Sequence, residues 1–161
     1  MDGLLRIRRG LLSIADRLSF VPPTLARIAI GVVFLGTGWG KLHNLDKITG
    51  FFTELGIPAP GFNAVLVSST ELVCGVLILL GLFTRLAAIP LMVVMIVAIV
   101  TAKRSEIAGP SDLLGFVEML YIVLLSWLAT AGPGSFSLDR LAVRARSRAP
   151  PTGGRPQLSR R

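Results

Sequence analysis

The sequence contains a single cysteine, Cys74, and a single histidine, His43. One thiol excludes a disulfide within the chain, a Cys-x-x-Cys redox pair and a cysteine-based zinc cluster. One histidine excludes haem held by two histidines. We therefore expect no metal site and no built-in cofactor.

Charged residues are also scarce, at 16% of the chain, whereas hydrophobic residues make up 52%. A mean hydropathy of +0.71 means that the chain holds more apolar side chain than one small soluble core could cover. The net charge of +8 comes from lysines and arginines at the ends of apolar segments and in both terminal regions. This distribution is typical of membrane topology signals, so we expect a lipid bilayer and no nucleic acid as partner.

Four apolar segments are long enough to cross the hydrocarbon layer of a membrane, which takes about 17 to 25 helical residues. They cover residues 24–42, 62–83, 86–102 and 113–131. The sequence therefore predicts an all-α membrane protein built as a four-transmembrane-helix bundle. A short surface helix is expected near residues 46–55, between the first two spans.

The two terminal regions differ from the spans in composition. In residues 1–23, aliphatic residues recur at helical spacing with arginines on the opposite side, which predicts an N-terminal interfacial amphipathic helix. Residues 141–161 are rich in arginine, proline and glycine and are expected to form a disordered basic tail. The transmembrane domain is then expected over residues 24–140.

Basic residues beside the spans are distributed unequally between the two predicted sides of the membrane. Twelve arginines fall on the side of the termini, and four lysines and arginines fall on the other side. Because basic residues are enriched in cytoplasmic segments, we expect both termini to be cytoplasmic.

Three ionisable residues are expected within the membrane: Lys41 in the first span, Glu71 in the second and Glu118 in the fourth. Helical side chains tilt toward the N-terminus of their own helix, so Lys41 should lean inward to meet the two carboxylates. We predict a cluster of these three residues, with Tyr121 as a hydroxyl donor. Such groups are usually functional, but a purely structural cluster that fixes helix register stays open.

Other polar residues have simpler interpretations. Arg27 shares a helical stripe with Gly31, Gly38 and Lys41, which should face protein, and lies near the cytoplasmic end as a snorkelling anchor.

Asp139 could pair with Arg27 or with Arg85. His43 is interpreted as an interface residue, with proton relay or quinone contact as the alternative.

Four stretches occur in a characteristic order: RIAIGVVFLGTGWGKL, LGIPAP, ELVCGVLILLGLFTRLAAIPL and GPGSFSLD. Together they resemble the DoxX family of small four-span bacterial membrane proteins, which is related to DoxD. The resemblance implies a bacterial cytoplasmic (inner) membrane protein linked to oxidoreductase systems. DoxD relatives resemble the membrane subunit of a thiosulfate:quinone oxidoreductase.

The resemblance leaves enzymatic activity open and implies two classes of function. In the first, the bundle is an oxidoreductase subunit that binds a quinone, with Lys41, Glu71, Glu118 and His43 handling protons. In the second, it is a non-catalytic anchor or assembly factor that recruits soluble redox enzymes. A proton-coupled carrier is less favoured, because four spans would require a homo-oligomer.

Overall fold

A computed structural model describes residues 18–132 and residue 137. The predicted interfacial helix over residues 1–23 lies mostly outside this range. The predicted tail over residues 141–161 and Asp139 lie entirely outside it. Every regular element among the described residues is helical.

Six α-helices follow one another in the described part of the chain. They are α1 (Val21–Leu42), α2 (Leu45–Glu54), α3 (Pro60–Leu80), α4 (Thr84–Ala102), α5 (Pro110–Gly115) and α6 (Val117–Ala131), with a 3₁₀ turn at Arg104–Glu106. The helices α1, α3 and α4 are long and apolar enough to cross a membrane, and α6 is a shorter apolar helix. The predictions of three long helices and of the short α2 are confirmed.

The end of α3 differs from the sequence prediction, which continued this helix to residue 83. The helix ends at Leu80 because Gly81 adopts a left-handed conformation with φ of +71°. The amide of Leu82 then donates to the carbonyl of Leu77, which satisfies a carbonyl that the helix leaves free. A tight turn therefore joins α3 directly to α4.

The predicted fourth span over residues 113–131 is divided between the end of α5 and the whole of α6, so the structure shows a shorter apolar helix there instead of a fourth long one. Phe116 is extended, with φ of −71° and ψ of 138°, and separates α5 from α6. Gly115 weakens the helix at this point, because glycine costs about 1 kcal/mol relative to alanine in a helix interior. The Lys103 ammonium lies 5.7 Å from the centroid of the Phe116 ring. This cation–π contact from the preceding loop also stabilises the position of Phe116 at the break.

The closest packing in the molecule is between the antiparallel helices α1 and α3. A Cβ atom built on Gly31 would lie 2.8 Å from Cα of Leu79, and one built on Gly75 would lie 2.6 Å from the backbone nitrogen of Leu35. These glycines therefore allow direct backbone contact, as small residues do between membrane helices.

The predicted protein-facing stripe of α1 is confirmed, since Arg27, Gly31, Phe34 and Gly38 are all buried. Gly36 and Gly40 lie on a different face of α1, and nothing lies within 4 Å of a Cβ built on either residue. The stripe is therefore the side of α1 that packs against protein, and the face that carries Gly36 and Gly40 is open.

The rest of the core lies where α4 and α6 pack together and meet the α1–α3 pair. Its fully buried side chains include Ile30, Ile78, Leu91, Leu125 and Leu128. Many large hydrophobic residues on the outer faces of the same helices are exposed, which fits helices that are surrounded by lipid.

Candidate functional site

An ion pair joins the end of α1 to the middle of α3. The Nζ atom of Lys41 lies 2.6 Å from Oε1 of Glu71. The Glu71 side chain is 1% exposed and that of Lys41 is 31% exposed, so the carboxylate is buried while the ammonium reaches the surface of the bundle. The glycine contacts of α1 with α3 place these two residues opposite each other.

The second carboxylate oxygen of Glu71 has no hydrogen-bond partner in the described part of the chain. Oε2 is buried and accepts no hydrogen bond from any residue that the structure describes. A buried polar atom left in this way costs about 1 to 3 kcal/mol, and more if it is charged. In a native fold, such an atom is usually bound by a water molecule, a proton or a ligand.

A cavity of about 900 Å³ adjoins the ion pair. It is bounded by α1, α2, α3, α4 and α6, and both Lys41 and Glu71 lie on its wall. Most of the wall is apolar, formed by residues that include Phe34, Phe51, Phe52, Val67, Val94 and Met95. A volume of this size suits a lipophilic small molecule, and the few polar groups would fix its orientation.

Glu118 and Tyr121 line the same cavity from α6. Glu118 is half-buried, and no ion pair or hydrogen bond to its carboxylate occurs within the described residues. The Tyr121 ring packs against Phe34, with centroids 5.5 Å apart and an angle of 60° between the planes. The structure thus brings Lys41 and Glu71 into contact and places Glu118 and Tyr121 on the same cavity wall.

His43 lies apart from this cavity. It follows the last residue of α1, and its Nδ1 lies 2.9 Å from the Trp39 carbonyl oxygen, to which the ring N–H donates. The imidazole also packs against the Trp39 ring, with centroids 4.3 Å apart. This exposed position corresponds to the interface interpretation, whereas a quinone in the cavity would not contact His43 in this arrangement.

The two arginines assigned structural roles lie at the opposite end of the bundle. The Nη1 atom of Arg27 would lie 2.7 Å from a Cβ built on Gly81, and Nε of Arg85 would lie 3.1 Å from one built on Gly132. Both glycines have positive φ. Arg27 is 6% exposed, so it is buried against the α3–α4 turn instead of snorkelling.

Sequence reasoning missed the position of α2 over the cavity. Ile48, Phe52 and Leu55 recur at helical spacing and all line the cavity. The sequence analysis predicted a short surface helix in this segment, and an apolar face is also expected of a helix that lies on the membrane surface. The spacing of these residues was the available signal, but it does not specify which surface α2 covers.

Metal binding finds no support in the part of the chain that the structure describes. No group of three or more His, Cys, Asp or Glu side chains is placed there to hold an ion. Cys74 is buried in the core as a free thiol.

These features define a helical membrane protein with an acid–base pair in the wall of an apolar cavity. Comparison with known families then gives its relationship: the profile described as DoxX matches residues 23–104, and the chain belongs to the DoxX family. No solved structure matches the chain.

Several bacterial proteins are similar to the chain over most of their length. "Uncharacterized membrane protein Rv3486" of Mycobacterium tuberculosis is 38% identical over 133 residues, covering 74% of this chain and 81% of that protein. "Putative oxidoreductase CatD" of Bacillus subtilis is 31% identical over 69% of this chain and 78% of its own length. "Inner membrane protein YphA" of Escherichia coli is 30% identical over 72% of this chain and 86% of its own length.

Proposed function

We propose that the protein is the membrane subunit of an oxidoreductase system and that its cavity binds a quinone. The observation that carries this proposal is the buried Lys41–Glu71 pair at the wall of an apolar cavity of about 900 Å³. Membership of the DoxX family and the name given to the Bacillus subtilis relative support the same class of function.

The cavity meets the chemical requirements of a quinone. The ring and hydrocarbon tail require apolar walls, and the oxygens require a few polar partners. Full reduction of a quinone takes up two electrons and two protons, so acidic groups beside the ring are needed to exchange protons. Glu71 and Glu118 supply these groups, and the Lys41 ammonium donates a hydrogen bond to Oε1 of Glu71.

In the proposed membrane arrangement, α5 and α6 together form the fourth crossing. The 15 residues of α6 rise about 22 Å, less than the hydrocarbon thickness of about 30 Å, and α5 supplies the missing length. Both termini are cytoplasmic, the transmembrane domain covers residues 24–140, and the cavity opens toward the extracytoplasmic half. The bacterial inner membrane is the proposed location, as the name of the Escherichia coli relative YphA states for that protein.

Electrons would come from a separate redox enzyme subunit, which docks at the membrane surface. A different class of function is retained as the competing outcome of the test: a non-catalytic anchor or assembly factor that recruits soluble redox enzymes. For either function, the positive charge of the arginine-rich terminal regions would attract a negatively charged partner on the cytoplasmic side. A proton-coupled carrier would require a homo-oligomer.

The proposal is tested by purifying the protein from its native membrane in mild detergent and identifying bound lipid-soluble molecules and co-purifying proteins. We expect about one quinone per chain in the wild type, and loss of the quinone in Glu71→Ala and Glu118→Ala. Glu106→Ala is the matched control, because Glu106 is an exposed carboxylate that pairs only with Lys103 in the described range.

Two results would contradict the proposal. Absence of quinone from wild-type protein that retains stable redox partners would favour the anchor function. Equal quinone content in the wild type and in both cavity variants would show that the quinone binds elsewhere, for example in the surrounding detergent and lipid.

A further inference from the structure

We infer that the cavity binds the reduced form of its ligand, the hydroxyl-bearing quinol, more tightly than the oxidised, carbonyl-bearing quinone. This inference rests on the proposed function and specifies which redox form the site prefers. The two forms differ in hydrogen-bonding capacity, which a protein site can distinguish. Quinone oxygens only accept hydrogen bonds, whereas quinol hydroxyls also donate them.

Several donor groups on the cavity wall already donate to acceptors within the protein. The Lys41 ammonium already donates to Glu71 at 2.6 Å. The hydroxyls of Thr37 and Thr101 donate to the carbonyls of Phe34 and Val97.

One N–H of the Asn63 amide likewise donates to the Pro58 carbonyl. A quinone carbonyl can still accept from the remaining N–H bonds of Lys41 and Asn63 and from the hydroxyls of Thr70 and Tyr121, which also line the cavity. A quinol oxygen can accept from the same donors, so these groups serve either redox form.

Acceptor groups on the same wall are available. Oε2 of Glu71 accepts no hydrogen bond from any described residue, although the side chain is 1% exposed. The Glu118 carboxylate likewise has no partner within the described range. Two carboxylates therefore share the cavity with one lysine, and a bound quinone cannot donate a hydrogen bond to the unpartnered carboxylate oxygens, whereas a quinol can.

The preference follows from the strength of the bonds that a quinol would form. A hydroxyl that donates to a carboxylate makes a short, charge-assisted hydrogen bond, about twice as strong as a neutral one. One such bond made by only one redox form corresponds to about tenfold in affinity or more. Tenfold tighter binding of the reduced form raises the potential of a two-electron couple by about 30 mV.

The test uses the full-length purified protein in lipid nanodiscs with decylubiquinone and its reduced form, decylubiquinol, under anaerobic conditions. Equilibrium dialysis gives the dissociation constant of each form. We expect the quinol to bind about tenfold more tightly than the quinone. In Glu71→Gln, the amide oxygen can still accept from Lys41 while its NH₂ group replaces Oε2 with a donor, so the ratio should fall to one or reverse.

The controls separate this inference from the proposed function. Glu106→Gln, which alters an exposed carboxylate outside the cavity, should keep the wild-type ratio. Equal or tighter binding of the quinone by the wild type would overturn the inference while leaving quinone binding intact. Absence of binding by both forms would overturn the proposed function as well. If Glu71→Gln does not fold, the wild-type ratio and Glu118→Gln decide the question.

Discussion

The helices α1 and α3 are in backbone contact on one face and border an open cavity on another. At Gly31, Gly38 and Gly75 no side chain separates the two backbones. Near Lys41 and Glu71 the same helices form part of the wall of a cavity of about 900 Å³. The difference shows that close packing in one region fixes the relative position of polar groups in another.

The two regions also differ in how they are stabilised. Close contact between membrane helices is stabilised mainly by van der Waals packing, because helices surrounded by lipid tails have little hydrophobic driving force to associate. The helices are not packed against each other at the cavity, and the buried Oε2 atom of Glu71 has no hydrogen-bond partner among the described residues there. Substitutions should therefore damage folding in the glycine region and ligand binding in the cavity.

The largest effect is expected from Gly38→Leu. A side chain at this position would collide with the backbone of Leu72 and Ser68, so α1 and α3 could not approach. We expect loss of monodisperse protein in size-exclusion chromatography after detergent extraction. Gly36→Leu is the control, because nothing lies within 4 Å of a Cβ at that position. Equal behaviour of the two variants would contradict the observed α1–α3 contact.

The next largest effect is expected from Leu125→Ala, which leaves a cavity in the close-packed core. Leu125 is fully buried, and truncation of a buried leucine lowers the free energy of unfolding by about 2 to 5 kcal/mol. Val123→Ala, on the exposed side of the same helix, should cost far less. Unfolding in a mixed-micelle denaturant titration measures both values. A similar loss in the two variants would show that α6 packs differently.

A smaller loss of stability is expected from Lys41→Met, which removes the cation from the cavity wall. Glu71 would then be buried without its partner, and we expect a loss of about 3 kcal/mol at most, because Lys41 is partly exposed. The double variant with Glu71→Leu should recover most of this stability, since an apolar pair of similar size removes the unpaired acid. Quinone binding should nevertheless stay lost in the double variant.

The double-mutant cycle for Lys41 and Glu71 thus separates folding from function. Recovery of stability without recovery of binding would assign the pair a role in ligand binding. Failure of the double variant to recover stability would instead indicate that the pair is needed to set the position of α1 on α3.

The smallest effect is expected from Lys103→Ala in the loop after α4. This residue pairs with Glu106 at 3.0 Å, but both side chains are substantially exposed. Exposed ion pairs contribute about 0.2 to 1 kcal/mol, so the unfolding free energy should change by no more than that amount. A larger loss, measured in the same titration, would point to the contact of Lys103 with the Phe116 ring.

Much of the fold follows from local patterns in the sequence. Apolar length gave the three long helices, and the spacing of Arg27, Gly31, Gly38 and Lys41 gave the buried face of α1. The tilt of side chains toward helix N-termini also predicted that Lys41 would approach Glu71, as the 2.6 Å contact shows. These features depend on helix geometry alone.

Other features depend on contacts that the sequence pattern does not specify. The extended conformation of Phe116 interrupts a segment whose hydropathy is continuous, and the nearby Lys103 belongs to a separate loop. The placement of α2 over the cavity likewise depends on how the whole bundle is assembled. The cavity could not be predicted because it is defined by five helices at once.

The position of α2 has a consequence for how firmly this helix is held. None of its residues is buried, yet Ile48 and Phe52 line the cavity, as does Leu55 directly after the helix. An occupant would complete the packing beneath this helix and hold it more firmly in place. Filling the cavity would then also restrain the face of α2 that points away from the cavity, so the mobility of this helix would report whether the cavity is occupied.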